Sequence, residues 1–245
     1  MRILVIGESC TDVYQYGDCV RLCPEAPVPV FKSSNCKTEN PGMAMNVMEN
    51  IKAISDMKAD IITNNNWKEI TKTRCVDNRT NYIIVRLDGN DNKYDRCDIE
   101  QIDYKTYDAI VISDYNKGFL TEEDIETISK KHPVTFLDTK KILGDWCRNI
   151  TFIKINEFEY DRTKHKLNDQ LLQKMIITLG PQGAKYKDVI YSVPKVEIKD
   201  TSGAGDTFIA ALVANYVRTK KIDIAIKFAN ACATTVVQRK GVKTA

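Results

Sequence analysis

Histidine is nearly missing from this chain, long apolar runs are absent, and neither sign of charge dominates. Each shortage narrows what the protein can be. Only His132 and His165 occur in 245 residues, and of eight cysteines only Cys19 and Cys23 form a close pair. A structural zinc site therefore has few ligands to draw on. No stretch is long enough to span a bilayer, and Met1-Arg-Ile-Leu-Val-Ile-Gly7 is too short for the core of a signal peptide. There is no dense basic block: 36 basic and 33 acidic residues are spread along the chain, for a formal charge of +3. That balance argues against nucleic acid or a membrane surface as partner. Irregular cysteine spacing without a secretory signal points to reduced thiols and a cytoplasmic setting. Internal repeats and low-complexity linkers are also lacking. A chain of this length that is 43% apolar buries one substantial core, so a single domain over 1–245 is expected.

What the chain does contain is a rhythm. Apolar runs at Ile3 to Ile6, Ile61 to Thr63, Ala109 to Ser113, Val134 to Leu137, Thr151 to Ile155 and Met175 to Leu179 predict strands buried on both faces. Helical periodicity falls between several of them. Pro41 to Ile54 groups Ala44, Val47, Met48, Ile51 and Ile54 on one face, and Ala225, Phe228, Ala229, Cys232 and Val236 repeat the pattern near the end. This alternation predicts an α/β sandwich around a largely parallel sheet. Two segments break it: Val20 to Lys32, with three prolines, and Thr71 to Asp88, which holds the β-rich runs Lys72 to Val76 and Tyr82 to Leu87. They predict a small antiparallel sheet set apart from the core.

The most informative stretch is Asp200-Thr-Ser-Gly-Ala-Gly-Asp206-Thr-Phe208, followed by an apolar run ending near Val217. Gly203 and Gly205, on either side of Ala204, let the backbone approach a ligand, and the helix start beyond them offers unpaired N–H groups and the positive end of a dipole. Asp206, one turn inside, could take a proton from a hydroxyl while those amides neutralise phosphoryl oxygens. No lysine follows the second glycine, so this is not the GxxxxGK[ST] loop. Taken locally, the same residues also read as a well-capped helix with Asp200 or Ser202 as cap. Further polar groups stand at predicted strand ends, where open α/β sheets place their active sites. They are Gly7, Glu8 and Asp12; Asp114-Tyr-Asn-Lys-Gly118; Asp138-Thr-Lys140; Asn156 and Glu159; and Gly180-Pro-Gln-Gly183. Any one of these alone reads as a turn.

The Asp200 to Phe208 stretch closely resembles the signature of the ribokinase-like (pfkB-type) carbohydrate kinases. The resemblance implies a three-layer sandwich with a β lid, formed here by roughly 14–38 and 71–90. It also implies ATP and Mg²⁺, with Asp206 as the base and Gly203, Ala204 and Gly205 as the anion hole. Gly7 to Asp18, Glu25 to Pro29, Pro41 to Asn46, Arg86 to Asp88 and Ser113 to Gly118 are similar to the heptose 7-phosphate kinases. By that likeness Asp12, Gly42 and Asn46 hold sugar hydroxyls, while Arg74, Arg86 and Lys117 are candidates to cradle a substrate phosphate. Asn156 and Glu159 match the NxxE element that organises magnesium and its waters. Gly180 and Gly183 match the loop beside the nucleotide, and Asn230 lies on the helix that flanks the adenine. Such lids often pair between subunits, so a homodimer is expected.

The chain also departs from the pattern. Met43 stands where the family has a second glycine, and Met45 replaces a small residue in the same turn. The path from Asp88 to Asp114 is short, and relatives continue past the position of Gly241 with elements that help wall the adenine site. Met43 and Met45 predict a sugar pocket that is narrower or differently shaped, and the other departures bear on the substrate and on nucleotide affinity. Two rival readings stay open: a binding module of the same fold without turnover, and a kinase of an unphosphorylated sugar or nucleoside.

Overall fold

The computed structural model describes residues 1–239, 241 and 244. Strand β1 (Arg2–Gly7) leads into a long hairpin, β2 (Ser9–Leu22) and β3 (Pro29–Met43). Helix α1 (Ala44–Ile54), β4 (Lys58–Ile62) and a second hairpin, β5 (Thr71–Asp77) and β6 (Ile83–Gly89), follow. The chain then runs through β7 (Ala109–Asp114), α2 (Glu122–Lys131), β8 (Thr135–Thr139), β9 (Phe152–Asn156), α3 (Glu157–Thr163), α4 (Asp169–Leu172) and β10 (Met175–Thr178). It finishes with β11 (Ala184–Tyr186), β12 (Val189–Tyr191), α5 (Ala204–Thr219) and α6 (Ile222–Val236).

All six predicted core strands enter one eight-stranded sheet, ordered β12-β11-β10-β9-β8-β7-β1-β4. Its pairings are parallel from β10 to β4, and only β11 and β12 run against their neighbours. Alternate side chains of a strand face opposite ways. Ile3 and Val5 of β1 therefore pack with Val47 and Ile51 of α1, Phe208 and Leu212 of α5 and Ile226 of α6. Leu4 and Ile6 pack on the other side with Ile125 and Ile128 of α2 and Leu171 of α4. Burial on both faces explains why these strands read as continuous apolar runs. β4 is the exception, since it lies at the sheet edge and is largely half-buried.

The second sheet, ordered β3-β2-β5-β6, takes in both irregular segments but extends well beyond the first, because β2 and β3 run over Ser9–Leu22 and Pro29–Met43 and Val20 to Lys32 forms only the far end of that hairpin. Each hairpin is antiparallel within itself, and the hairpins meet along a parallel seam between β2 and β5. Ile83, Val85 and Leu87 of the edge strand β6 are exposed, as are Val20, Leu22 and Val28 around the tip of the first hairpin.

The helix expected from Pro41 begins three residues later. Pro41, Gly42 and Met43 complete β3, and Met43 turns the corner with φ 61 and ψ −130. That is a region L-residues avoid and glycine accepts, so methionine stands here under backbone strain. The Ala44 N–H then donates to the Glu8 carbonyl at 2.9 Å, fixing the entry to α1. Among the described residues no helix is long and apolar enough to cross a membrane.

Candidate active site

Helix α5 begins at Ala204, with Gly203 before it at φ 77 and no side chain capping the end. Glycine takes that left-handed value without steric cost. Ala204 N–H bonds the Thr201 carbonyl and Thr207 N–H bonds that of Gly203. The N–H groups of Gly205 and Asp206 have no acceptor among the described residues, so the helix start has the unpaired donors that suit an anion. The well-capped helix is thus not what forms: Asp200 instead accepts from Ser202 N–H, outside the helix.

Asp206 is only 7% exposed. Its Oδ2 accepts from Asn46 Nδ2 and its Oδ1 from the Tyr115 hydroxyl, each at 2.8 Å. Burial pushes its carboxyl up to about 6; Asp138 adds to the rise, while Asn46, Tyr115 and the Lys154 ammonium oppose it. The two donors are themselves anchored. Asn50 donates to the Asn46 side chain at 3.1 Å and accepts from the Thr207 hydroxyl at 3.0 Å, tying α1 to α5. Tyr115 and Lys117 donate their backbone N–H groups to the buried Glu8 carboxylate at 2.8 and 2.9 Å. Burial, with Asp114 nearby, raises the Glu8 carboxyl as well.

On the side of the second sheet, a Cβ added to Gly42 would lie 2.4 Å from Asp12 Oδ2, so close approach requires glycine there. Asp12 Oδ1 pairs with Arg74, whose guanidinium lies over the Tyr14 ring at 5.2 Å. Lys72 and Lys117 both reach Asp91, at 3.5 and 2.5 Å. Arg86 stands opposite Arg74 across β5 and β6, where it is half-exposed and held at two points by Asp88. Met43 is buried with Cys10 and Ile70, and Tyr115 packs against them.

On the other side a cavity of about 650 Å³ runs from Asp206 past Lys154, Asn156, Gly180 and Gly183 to Asn230. Val193, Val196, Ile198 and Val237 give it an apolar wall. Gly183 has φ 94, and a Cβ there would meet the Tyr191 carbonyl oxygen at 2.1 Å, so no other residue fits. Asn230 donates to that same carbonyl at 2.6 Å, which ties α6 to β12 at the cavity wall.

Asn156 and Glu159 form a capping box on α3, each side chain accepting the other's backbone N–H at 2.8 Å. The remaining oxygen of Glu159 takes the Lys140 ammonium. Asn156 lines the cavity, and Glu159 is not among its lining residues. Among the described residues no three His, Cys, Asp or Glu side chains gather to hold a metal. Among the described residues three buried side-chain oxygens have no partner, Tyr14 Oη, Ser113 Oγ and Asp138 Oδ1, and of these three residues only Asp138 lines the cavity. This donor set fits Mg²⁺ that arrives with phosphate ligands and keeps its waters, rather than an ion caged by protein alone.

The arrangement belongs to the ribokinase-like fold class. A ribokinase from Thermotoga maritima superposes with a TM-score of 0.69 at 19% identity, covering 98% of this chain and 94% of that one. A nucleoside kinase from Methanocaldococcus jannaschii gives 0.69 at 17%, covering 99% and 93%. Residues 58–245 match the pfkB family carbohydrate kinases, and the chain belongs to that family of sugar kinases. The bifunctional protein HldE of Helicobacter pylori is 30% identical over 98% of this chain, and that of a Nitratiruptor species 31% identical over all of it. The chain spans 63% of the length of each.

Glu8 and Tyr115 stand at predicted strand ends but carry no sequence mark of the roles found here, and Lys154 and Lys72 lie inside predicted strands. For Lys154 a signal was present: a lysine inside the apolar run Thr151 to Ile155 is out of place in a strand buried on both faces. Tyr115 carries no comparable mark, because its bond to Asp206 joins residues far apart in the chain.

Proposed function

We propose that this sugar kinase transfers the γ-phosphoryl group of ATP to a hydroxyl of a sugar phosphate of the heptose 7-phosphate kind, with Asp206 as general base. The observation that carries the reading is a buried carboxylate beside the unpaired N–H groups of Gly205 and Asp206. The acceptor hydroxyl enters where Asn46 and Tyr115 now meet Asp206, and gives its proton to that carboxylate. Its oxygen bonds the γ-phosphorus as the bond to the β-phosphate oxygen breaks, and the electron pair leaves with ADP. The Gly203 to Asp206 turn stabilises the charge spread over the phosphoryl oxygens, so positioning and electrostatics supply most of the rate.

Asp12, Gly42 and Asn46 shape the sugar side, and Arg74, Lys117 and, at the sheet edge, Arg86 are the candidates for the substrate's own phosphate. The adenine lies towards Gly180, Gly183, Asn230 and the apolar wall. Mg²⁺ when bound neutralises phosphate charge, and Asp138 Oδ1 and Asn156 would hold it or its waters, with Glu159 paired to Asn156 in the capping box. The second sheet is the lid, and its exposed β6 face pairs two subunits. All eight cysteines are free, in keeping with a reducing cytoplasm.

A panel of sugar monophosphates and their free sugars tests the reading. A phosphorylated sugar is expected to be used with much the higher kcat/KM, and Arg86→Ala to remove part of that preference. Equal use of both forms would leave a general sugar kinase and overturn the heptose phosphate assignment.

A further inference from the structure

Lys154 stands in β9 at the centre of the sheet, 3% exposed. An ammonium has three protons to give. Asp138 Oδ2 takes one, at 2.7 Å, and no other acceptor meets it among the described residues. On its other side lies the turn at the start of α5, where a Cβ added to Gly205 would meet Lys154 Nζ at 3.0 Å. The lysine therefore rests against the stretch of backbone whose N–H groups are unpaired. Asp138 and Lys154 both line the cavity, and Asp138 Oδ1 is buried without a partner.

The plain structural account is a cross-strand ion pair, since Asp138 and Lys154 face each other in register on β8 and β9. A pair serving stability alone has its remaining donors and acceptors satisfied, because open ones in a low-dielectric interior are costly. Among the described residues this pair leaves two ammonium protons and one carboxylate oxygen without a partner at the cavity. Lys140 also lines the cavity with a single acceptor, Glu159, but its side chain is 38% exposed and can give its other protons to water, whereas that of Lys154 is 4% exposed.

On the phosphoryl-transfer reading above, we propose that Lys154 is a catalytic residue whose ammonium contacts an oxygen of the γ-phosphoryl group in transfer. It completes, with the Gly205 and Asp206 amides, a cradle that carries a full positive charge. Asp138 is the positioning residue that holds the ammonium at the turn before the nucleotide arrives. The lysine adds no covalent step. Its contribution is charge placed where charge develops.

The test uses Lys154→Met, the double variant Asp138→Asn/Lys154→Met, which leaves no unpaired carboxylate, and Lys154→Arg. Turnover is measured beside calorimetric affinities for ATP and ADP. In both methionine variants kcat should fall by roughly 10²- to 10³-fold. ATP should weaken by about tenfold more than ADP, because only ATP carries the γ-phosphoryl group. Lys154→Arg should retain more of the rate than Lys154→Met. A double variant with kcat within about threefold of wild type, or equal weakening of ATP and ADP, would overturn the role. If the wild type phosphorylated no sugar, the kinase reading would fall, and the ATP and ADP affinities would still decide whether Lys154 meets the γ-phosphate.

Discussion

Replacing Asp206 by asparagine should disable the enzyme and stabilise the protein at once. Burial lifts this carboxyl from its ordinary 3.8 to about 6, which means that the folded state disfavours the ionised form by about 3 kcal/mol. Native protein binds more protons than unfolded chain between those two values, so wild-type stability falls as pH rises through that window. A neutral amide escapes the penalty. It can still accept from Asn46 through its oxygen and donate through its nitrogen to the Tyr115 oxygen, so both hydrogen-bonded neighbours keep a partner. The gain above pH 7 should be about 1 to 3 kcal/mol, or roughly 3 to 10 °C in melting temperature for a chain of this size. Thermal melts from pH 4 to pH 8 should show the two proteins nearly together at the acid end and the variant higher at the basic end. Turnover should drop by about 10²- to 10⁴-fold with ATP binding close to wild type. Wild-type kcat should itself decline as pH falls below about 6, where the base takes up a proton. A variant that melts at or below wild type at pH 8, or a gap that does not change with pH, would refute the reasoning.

Glu159→Gln preserves the acceptor of the capping box and loses the charge facing Lys140. It should raise the Mg²⁺ concentration needed for half-maximal rate and lower apo stability by less than about 1 kcal/mol. A large fall in melting temperature with unchanged metal dependence would place the role of Glu159 in the fold alone. Val85→Lys, on the exposed face of β6, should weaken a dimer that sedimentation detects at micromolar wild-type protein. A wild type that sediments only as a monomer would remove the lid interface.

The parts of the fold legible in the sequence are those set by local burial. β1, β7, β8, β9 and β10 announce themselves because both faces are covered, and α6 because one face is. The start of α1 was misplaced because Met43 adopts a glycine conformation that a methionine does not advertise. The parallel seam between β2 and β5 was not legible either, since register between two distant hairpins is fixed by tertiary packing rather than by pattern. The candidate site divides the same way. Gly203 to Asp206 is contiguous and readable, whereas Asn46 and Tyr115 as partners of Asp206 depend on separations that only the folded chain defines. Asn156 and Glu159 were read as ligand groups, and the capping box shows them also building the helix that carries them.

On the proposed mechanism, the doubly bonded state of Asp206 bears on what the kinase does while it waits with ATP but no sugar. Each carboxylate oxygen then already accepts one hydrogen bond, from Asn46 and from Tyr115, which lowers its basicity towards a passing water. A sugar can displace one of these donors because its other hydroxyls are held nearby and its binding energy offsets the lost bond. A lone water brings no such anchorage. Protection of ATP against hydrolysis would then lie in the resting hydrogen bonds of the base itself, before any closure of the lid over the substrate.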